Sequence, residues 1–565
     1  MKKLSFIKSS ALAAVFMAGI LAGCSGKSAE AKIIQNDDGS ISITKIDEDG
    51  KAVAYNKKYD GFENVTIVKL GLTSGNNPIK INLNDYADKD VLMELSCDMK
   101  VVDSSGEAEH EIIWLVNEVD ENFPQIYRDY IKSDEWTKVS GQAIIHIGKN
   151  RQFYLSGAGL TKENITVYLK NFRLKLSGEG IGSQEVVEKK WTEVPSLKET
   201  YKDYFDYFGL AVTKEDLDSS KVQDGLKYQA SSTTMGNEFK PDFLFNWTQP
   251  TKFEDFTAEN GKTYKVPYWL PGFNRMDACL KECKELGLKM RGHVLVWHSQ
   301  TPWWFFVEDY GEGDYYVDVD EMNARMEWYI KTVMEHVAEW EKKNNNGEHI
   351  VTIWDVVNEV CSDGATESSW LRGEESSEWM KVYENGDYIV NAFRYANKYA
   401  PADVELVYND YGCSSPHKLK GILKIIDSIQ AAPDARIDAM GMQSHVNMKT
   451  PVTGPNSFES AVQAFVNKGL NVQITELDIA NGQDAYSSIR LKAKYNEFFK
   501  MFIANRKTAE HKGIEGVTIW GLNDEGTWLN SQKEHQGNTQ YPLLFKTRDF
   551  IVKPAFYGVL EAAEN

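Results

Sequence analysis

Short stretches of alternating hydrophobic and polar residues occupy the chain from about residue 60 to residue 178, with glycine, asparagine and aspartate between them. Alternation with a period of two is typical of half-buried strands, and several such strands at short intervals are typical of a β-sandwich. The pattern predicts a β-sandwich domain over residues 56–180. The predicted strands cover residues 65–70, 79–83, 91–99, 112–116, 143–147, 153–155 and 165–176.

From about residue 196 the hydrophobic spacing alternates between that of helices and that of strands. Met276, Leu280 and Cys283 are spaced as on one face of a helix, and an apolar run that reads as a strand follows at 289–297. Eight strands joined by helices are the count of a (β/α)8 TIM barrel, an α/β fold, over residues 196–565, although an open doubly wound sheet would give the same alternation. The predicted strands cover residues 209–212, 228–234, 289–297, 350–357, 404–408, 437–443, 472–477 and 516–522.

Two polar segments with many small residues flank the predicted sandwich. Residues 24–55 contain few long apolar runs, and residues 181–195 continue a glycine-rich stretch. Such composition favours connecting segments over packed elements. We therefore expect a tether over 24–55 and a linker over 181–195.

Polar residues stand where the predicted barrel strands end. Strand four finishes in Asn358 and Glu359, and strand seven reaches Glu476 and then Asp478. The carboxyl ends of all strands in a (β/α)8 barrel meet at one face, where active sites are built. An acid that ends an apolar strand would otherwise leave a charge near the core. The sequence therefore predicts an active site at this face.

Glu359 and Glu476 have the residue type and the placement that glycoside hydrolysis requires. One carboxyl group donates a proton to the leaving oxygen, and the other attacks the anomeric carbon. We expect Glu359 to be the acid/base and Glu476 the nucleophile, with carboxyl groups about 5–5.5 Å apart, which implies retention of configuration. A single glutamate without this context is usually a solvated surface charge.

Neighbouring polar residues have candidate supporting roles. Asn358 could hydrogen-bond the sugar 2-OH, and His445 could orient Glu476 unless it is a core histidine with satisfied hydrogen bonds. His293 and His298 lack the accompanying ligands of a metal motif, so we expect sugar contacts or contacts to catalytic residues.

Aromatic residues are abundant, with 15 Trp, 27 Tyr and 25 Phe. Flat rings suit the C–H faces of sugars, and Trp297, Trp520 and Trp528 lie near predicted strand ends; the alternative is packing in the core. Asp355 and Asp410 could orient neighbouring site residues or be structural.

The overall charge excludes one class of partner. The formal net charge is −20, from 63 basic and 83 acidic residues. Nucleic acid binding needs a basic surface, whereas a neutral polysaccharide does not.

The amino terminus has the features of a bacterial lipoprotein signal peptide over residues 1–23. Lys2 and Lys3 precede an apolar run that is too short to span a bilayer. The Leu-Ala-Gly-Cys string that ends at Cys24 resembles the lipobox, in which the cysteine is lipidated. We expect an exported protein held by its lipid at the cell envelope and facing outward, the alternative being secretion with cleavage nearby.

The barrel region resembles family 10 of the glycoside hydrolases, which are mainly endo-β-1,4-xylanases. The resemblance rests on the strings at 292–300, 354–359, 409–411, 443–445, 474–478 and 518–521. It implies Glu359 as acid/base, Glu476 as nucleophile, xylan or xylo-oligosaccharides as substrate, a monomer, and no catalytic cofactor. It also implies that ten residues line the sugar-binding subsites: Asn237, Lys240, His293, Trp297, Gln300, Asn358, Gln443, His445, Trp520 and Trp528.

The chain departs from the family at one position of the barrel, and its sandwich region has a resemblance of its own. Gly236 stands where the family usually has a sugar-binding glutamate, which implies a weaker distal glycone subsite unless another residue substitutes. The predicted sandwich resembles carbohydrate-binding modules, of which some hold a structural calcium ion, but the sequence has no readable calcium pattern. Trp114, Tyr127 and Tyr130 are candidate sugar platforms in this region, the alternative for each being a packing role.

Other functions stay open at this stage. A cellulase or mannanase on the same barrel would share the fold and the carboxylates. A non-catalytic surface protein that captures glycans would keep the aromatic residues but lose a carboxylate, and both Glu359 and Glu476 are present.

Overall fold

The structure is a computed structural model, and it describes most of the chain beyond residue 80. The predicted signal peptide and Cys24 lie outside the described residues. Within the described part, no helix has the length and hydropathy that crossing a bilayer requires. The described residues are 31–35, 40–46, 52–53, 66–68, 80–87, 89–116, 125–147, 151–156, 160, 164–177, 188–311, 313, 315–481, 489–535 and 539–564.

The chain divides into two compact units, residues 1–185 and 186–565. The first unit consists of antiparallel strands in two sheets. One sheet has the order β1-β2-β11-β6-β9, with β3 on β2 and β4 on β11, and the other has the order β5-β10-β7-β8. The strands are β1 (Ala31–Gln35), β2 (Ser40–Ile46), β3 (Ala52–Val53), β4 (Thr66–Val68), β5 (Lys80–Asn82), β6 (Lys89–Asp103), β7 (Glu109–Val116), β8 (Gln125–Lys132), β9 (Thr137–Ile147), β10 (Gln152–Ser156) and β11 (Ile165–Ser177).

The two sheets enclose one hydrophobic core. Alternate residues of β6 are buried, as expected for a strand with one face against the core. Trp114 of β7 stacks on Phe153 of β10 at 5.3 Å between ring centroids, and it contacts Phe172 of β11, in the other sheet, at 5.4 Å. The predicted β-sandwich is confirmed.

Part of the predicted tether is instead strand. β1, β2 and β3 fall within residues 24–55, and β2 pairs with β11 through Ile41 and Leu174. Ile41 and Ile43 alternate with Ser40, Ser42 and Thr44, which is the period-two pattern of a strand. β8 was not predicted from the sequence, because its apolar residues do not alternate regularly with polar ones, and most of its residues are exposed.

The second unit contains a closed ring of eight parallel strands among the described residues. Its order is β12-β13-β16-β17-β18-β19-β21-β22, and β22 pairs with β12 to close the ring, while β20 extends β21. The predicted (β/α)8 barrel is confirmed, and the open sheet is excluded. The strands are β12 (Tyr207–Val212), β13 (Ser232–Met235), the hairpin β14 (Phe253–Thr257) and β15 (Thr263–Pro267), β16 (Lys289–Trp297), β17 (Val351–Asn358), β18 (Glu405–Asp410), β19 (Ala439–Met442), β20 (His445–Asn447), β21 (Asn471–Ala480) and β22 (Ile514–Ile519).

Helices surround this ring, and local signals fix their ends. The Asp318 side chain accepts from the Glu321 amide to begin the longest helix, and Gly287 ends another with a φ of +70°. The helices are α1 (Leu197–Tyr201), α2 (Lys214–Leu217), α3 (Ser220–Gln229), α4 (Pro241–Leu244), α5 (Phe273–Leu286), α6 (Val319–Asn344), α7 (Glu378–Tyr383), α8 (Asp387–Tyr399), α9 (Pro416–Ala431), α10 (Phe458–Val466), α11 (Ile489–Ala504) and α12 (Pro554–Ala562).

Two boundaries around the barrel differ from the sequence analysis. The end of the predicted linker 181–195 belongs to the barrel unit, because Trp191 is buried and stacks on Phe550 at 3.9 Å. Tyr228 lies in α3 rather than at the start of the second strand, which begins at Ser232. At both boundaries only a few residues are involved, and their hydrophobic spacing fits neither a helix nor a strand clearly enough to place the boundary.

The amino-terminal ends of the barrel strands hold an acidic pair, of which Glu515 is buried and Glu405 is half-buried. Glu405 opens β18 and Glu515 lies in β22, and the Gln473 amide donates to both, at 2.8 and 2.6 Å. Burial and the negative charge of Glu515 raise the pKa of Glu405 to about 8. Lys507 lies 3.0 Å from Glu515 and offsets part of this repulsion.

We expect Glu405→Gln to stabilise the barrel at alkaline pH. The folded state raises the pKa of Glu405 from 4.5 to about 8, so it holds a proton that the unfolded chain releases, and stability falls as pH rises across that range. The variant should gain about 1 kcal/mol at pH 8, or about 2 °C in Tm, and close to nothing at pH 4.5. Calorimetry at both pH values measures this, and an equal shift at both would contradict it.

Candidate active site

The predicted site residues gather at the carboxyl ends of the barrel strands. Glu359 directly follows β17, and Glu476 lies in the second half of β21. Their backbones are therefore at the same face of the ring. Of the other candidates, Asn237 and Lys240 follow β13, His293 and Trp297 belong to β16, Gln300 follows it, Asn358 ends β17, Gln443 follows β19, His445 begins β20, and Trp520 and Trp528 follow β22.

Glu359 is half-buried, and both of its carboxylate oxygens accept hydrogen bonds. Trp297 Nε1 donates to Oε2 at 2.9 Å, and Gln443 Nε2 donates to Oε1 at 2.7 Å. The backbone of Glu359 has a φ of +56°, in the left-handed region that non-glycine residues rarely adopt. Gln300 and Ser444, which follow β16 and β19, are also in this region, at +45° and +67°. Such conformations cluster at functional sites.

Glu476 is almost fully buried, with 4% of its surface exposed. Asn409 Nδ2 donates to Oε1 at 2.8 Å, and His445 Nε2 lies 3.2 Å from Oε2. Burial disfavours the charged form, but the hydrogen bond from His445, the electrostatic effects of His293 and His445, and the hydrogen bond from Asn409 outweigh it. Together they lower the pKa of Glu476 to about 2. This carboxylate is therefore ionised at neutral pH.

A chain of side-chain amides connects the two glutamates. The Asn358 side-chain oxygen accepts from Asn409 Nδ2 at 3.0 Å and from Gln443 Nε2 at 3.1 Å. Asn409 also donates to Glu476, and Gln443 also donates to Glu359. The two carboxyl groups are thus held in one hydrogen-bonded assembly, with Asn358 between them.

His445 supplies the positive charge beside Glu476. Its Nε2 faces Glu476, and its Nδ1 lies 3.0 Å from Asp478 Oδ2. Burial opposes protonation, but the charge and hydrogen bond of Asp478, followed by those of Glu476, raise the pKa of His445 to about 10. Trp528 Nε1 donates to Asp478 at 2.8 Å, which fixes the far side of this arrangement.

We expect His445→Gln to narrow the pH range of activity from the acidic side. Loss of the positive charge removes the contribution of His445 to the low pKa of Glu476, so the nucleophile becomes protonated at a higher pH. The acidic limb of the pH profile of kcat/KM should move to higher pH by about 1–2 units. His336→Gln is the control, because His336 pairs with Asp277 at 2.6 Å and contacts neither glutamate. An unmoved acidic limb in His445→Gln would contradict this electrostatic role.

A polar group lies beside Trp297. Lys240 is buried, and its Nζ donates to Gln300 Oε1 at 3.0 Å and to Asn237 Oδ1 at 3.4 Å. Its ammonium group also lies 5.0 Å from the Trp297 ring centroid. Burial lowers the pKa of Lys240, against the charges of Glu476 and Glu359. The structure thus brings these four predicted residues together.

Gly236, which precedes this group, does not need to be glycine for steric reasons. A Cβ there would meet the Val212 carbonyl oxygen at 3.5 Å and Thr213 Cγ2 at 4.0 Å, which are ordinary contact distances. Its φ is not among the positive values of the described residues. A residue with a Cβ would therefore be accommodated at this position.

The two candidate aspartates support neighbouring side chains. Asp355 Oδ2 lies 2.9 Å from His293 Nδ1, and its Oδ1 accepts from Arg291 at 2.5 Å. Asp410 accepts from the Tyr408 hydroxyl at 2.5 Å. Burial is the main cause that raises the pKa of Asp410 to about 6.

The aromatic candidates differ in exposure. Trp520 lies 5.7 Å from the His293 ring and 6.2 Å from the His445 ring, so it contacts both site histidines. Trp528, which is 37% exposed, lies 4.7 Å from His445. His298 is half-buried, and burial followed by the charge of Arg372 lowers its pKa to about 4. His298 is therefore neutral at physiological pH.

Two residues of the site were missed by the sequence analysis. Asn409 bonds both Glu476 and Asn358, and its position at the end of β18 was the available signal. Arg372 donates to the Glu359 carbonyl oxygen at 2.6 Å. It lies in the long segment between β17 and α7, where no periodic pattern singles it out.

In the first unit, Trp114 has the packing role and not that of a sugar platform. Trp114 has no exposed surface, because it fills the core between the sheets. Tyr130 is 63% exposed, and Tyr127 is partly buried against the core.

One group among the described residues has metal-ligand spacing. Ligand atoms of Asp103, Glu107 and His110 lie within 4.8 Å of one another. His110 Nε2 lies 3.2 Å from Asp103 Oδ2, while the amide and hydroxyl of Ser105 donate to Asp103 Oδ1. Calcium takes six to eight oxygen ligands, so a group with a ring nitrogen and two carboxylates does not fit it.

Comparison with known proteins places this site in context. Endo-1,4-beta-xylanase B of Butyrivibrio fibrisolvens is 34% identical over 380 residues, which are 65% of this chain and 53% of that protein. Endo-1,4-beta-xylanase Y of Acetivibrio thermocellus is 31% identical over 374 residues, which are 64% of this chain and 32% of that protein. The chain therefore matches only about half the length of the first protein and about a third of the length of the second.

Solved structures extend the likeness. One is the structure of the CBM22-1 and GH10 modules of a Clostridium thermocellum endo-1,4-beta-D-xylanase complexed with xylohexaose. The structural match covers 90% of this chain and 92% of that chain, with a TM-score of 0.54 and 26% sequence identity. An endo-1,4-beta-xylanase from Caldicellulosiruptor owensensis covers 65% of this chain and 99% of that chain, with a TM-score of 0.51 and 30% identity.

The family assignment rests on the barrel. The sequence pattern of glycosyl hydrolase family 10 matches residues 196–562, which include every barrel strand and both glutamates at its carboxyl face. This match spans well over half of the chain, and the chain belongs to glycosyl hydrolase family 10.

Proposed function

We propose that the chain is an endo-β-1,4-xylanase that cleaves with retention of configuration, with Glu476 as nucleophile and Glu359 as acid/base. The observation that carries this proposal is the unequal setting of two carboxyl groups in one hydrogen-bonded assembly. Glu476 is buried and ionised beside the protonated His445. Glu359 is more accessible and is held by Trp297 and Gln443.

The first step forms a covalent intermediate. A Glu476 carboxylate oxygen attacks the anomeric carbon of the sugar, and the bond from that carbon to the glycosidic oxygen breaks. The proton of the Glu359 carboxyl group passes to the departing oxygen, so the leaving chain is released as an alcohol. The positive charge of His445 keeps Glu476 ionised for this attack.

The second step returns both residues to their starting states. The Glu359 carboxylate removes a proton from water, and the water oxygen attacks the anomeric carbon. The ester bond to Glu476 breaks, so its carboxylate is regenerated and Glu359 is protonated again. Two inversions at one carbon leave the original configuration.

The surrounding residues are proposed to bind the sugar chain. Asn358 lies between the two glutamates, where an amide can bond the 2-OH of the sugar that reacts. Lys240, Asn237 and Gln300 form the polar group of the glycone side, with Trp297 as an apolar surface. His293, Gln443, His445, Trp520 and Trp528 complete the binding site.

The distal glycone subsite is proposed to bind its sugar weakly. The family usually has a sugar-binding glutamate at the position of Gly236, where a Cβ would meet only ordinary contacts. Its loss removes hydrogen bonds to a sugar without affecting either catalytic glutamate. This should reduce affinity for long substrates more than the rate of bond cleavage.

Xylan is favoured as the substrate by the names of the relatives and by the strings that the barrel shares with the family. The test is reducing-end release from xylan, cellulose and mannan by the whole chain. The proposal predicts release from xylan and from xylo-oligosaccharides, with much less from the other two. Faster release from cellulose or mannan would favour one of those activities, and release from none would favour a glycan-binding protein.

We also propose that the protein is exported as a lipoprotein and acts as a monomer at the outer side of the cell envelope. The support is the string that ends at Cys24 after a short apolar run. The measurement is incorporation of labelled palmitate by wild type and Cys24→Ser during expression in a bacterium. Equal labelling of the two would contradict the anchor, and light scattering of the soluble form reports the oligomeric state.

The first unit is proposed to bind polysaccharide as a carbohydrate-binding module. Tyr130 offers an exposed ring for a sugar, whereas Trp114 does not. Affinity electrophoresis of the whole chain in soluble xylan should show weaker retardation for Tyr130→Ala than for wild type. Equal retardation would remove Tyr130 from this role.

A further inference from the structure

The backbone of Glu359 needs support from outside its own strand. Its φ of +56° places a residue with a side chain in the left-handed region, where Cβ crowds the backbone. On one side its amide donates to the Asn409 carbonyl oxygen at 2.9 Å, within the sheet. On the other side its carbonyl oxygen accepts from Arg372 Nε at 2.6 Å. Arg372 therefore completes the hold on this peptide.

The segment that carries Arg372 returns to the residues just after β17 and is anchored there. The Arg372 amide donates to the Val360 carbonyl oxygen at 3.0 Å, and Cys361 and Leu371 form an antiparallel bridge. The Arg372 side chain is only 14% exposed. The guanidinium thus reaches the Glu359 carbonyl from a fixed base rather than from a free loop.

The far end of the guanidinium is also fixed. Arg372 Nη2 donates to the Tyr411 hydroxyl at 2.7 Å, and that hydroxyl donates to Asp363 Oδ2 at 2.6 Å. Lys418 Nζ lies 3.0 Å from Asp363 and 3.1 Å from Asp410. A guanidinium held at both ends can resist displacement of the carbonyl that it binds.

We infer that Arg372 is a positioning residue for the proton donor, and that it does so by holding the Glu359 backbone in its left-handed conformation. The inference rests on the proposed role of Glu359. The direction of the Glu359 side chain follows from its backbone, and that direction places the carboxyl group between Trp297 Nε1 and Gln443 Nε2. Relaxation of the backbone would move the acid away from the leaving oxygen, and small displacements of this kind slow proton transfer.

Leaving groups of graded acidity separate this role from a merely structural one. A phenyl xylobioside needs a proton from Glu359 to depart, whereas a 2,4-dinitrophenyl xylobioside departs without one. A misplaced acid slows only the first, and partial unfolding lowers both equally. The kcat/KM value is the right quantity, because it reports the first chemical step and not the later attack by water.

The experiment compares wild type, Arg372→Ala, Arg372→Lys and Glu359→Gln on both substrates. We expect Arg372→Ala to lose about 10- to 100-fold in kcat/KM on the phenyl substrate and less than about threefold on the dinitrophenyl substrate. Arg372→Lys should fall between wild type and Arg372→Ala, and added guanidinium ion should restore part of the loss in Arg372→Ala. Glu359→Gln should have the same dependence on the leaving group with a larger loss.

Arg436→Ala is the matched control. Arg436 is also a partly buried arginine that donates to a backbone carbonyl, that of Val404 at 3.0 Å, but it lies near the amino-terminal end of β18. It should lose stability without any dependence on the leaving group. Circular dichroism of every variant gives the folded fraction.

The outcomes are distinct. The inference would be overturned if Arg372→Ala and Arg372→Lys each lost kcat/KM equally on the two substrates. It would also be overturned if neither variant lost kcat/KM on either substrate. If Arg372→Ala does not fold, Arg372→Lys decides, because it keeps the charge and loses the fork-shaped donor. If Glu359→Gln itself has no dependence on the leaving group, the assignment of the acid is wrong, whatever Arg372 does.

Discussion

Glu476→Gln is expected to abolish turnover of xylan, with a loss of about 10⁴-fold or more in kcat. The amide cannot form the covalent bond to the anomeric carbon that the first step requires. It also replaces one carboxylate oxygen with an NH2 group, which then faces the N–H of either Asn409 or His445. The measurement is reducing-end release from xylan, with isothermal calorimetry of xylohexaose to follow binding separately.

The control for this variant is Glu515→Gln, which makes the same change at a buried glutamate at the other end of the barrel. It should keep activity near the wild-type value. Substantial residual activity in Glu476→Gln, beyond what contamination explains, would overturn the assignment of the nucleophile. Retained binding of xylohexaose with lost turnover is the expected combination.

Glu359→Ala is expected to lose about 10²- to 10⁴-fold in kcat on xylan, which is the usual contribution of general acid–base catalysis. The loss should be smaller on a 2,4-dinitrophenyl xylobioside in the first step, because that leaving group needs no proton. The second step should then be slow, since no base activates the water. Azide, which needs no deprotonation, should restore the rate and give a β-xylosyl azide.

Glu384→Ala serves as the control for this variant, because Glu384 caps the end of α7 and no described contact joins it to the catalytic assembly. No azide effect is expected there. If azide fails to accelerate Glu359→Ala, or if the azide product has the α configuration, the acid/base assignment is wrong. Glu359→Ala and Glu476→Gln together thus test both halves of the mechanism.

The barrel was predictable because most of its strands are apolar runs that are followed by polar residues. The run that includes β17 and ends in Asn358 and Glu359 can be read from the sequence alone. Elements with a weaker pattern were missed, such as β8, whose residues are mostly exposed. Boundary residues such as Trp191 and Tyr228 were misplaced, because their positions depend on tertiary contacts that local periodicity does not report.

The catalytic pair was predictable for the same reason, but its supporting contacts were not. Asn409 stands at a strand end and could have been included. Arg372 could not, because it comes from an irregular segment and acts through a backbone carbonyl that any residue could present. The charge state of His445 also depends on Asp478 and Glu476 meeting at one imidazole, which only the folded chain brings about.

The anomeric configuration of the first product is the most direct test of the proposed mechanism. Proton NMR of xylohexaose during early hydrolysis, before mutarotation, distinguishes the two forms. Nucleophilic attack by Glu476 followed by attack of water predicts that the β anomer appears first and the α anomer only later. Initial appearance of the α anomer would mean direct attack by water, and it would contradict a covalent bond to Glu476.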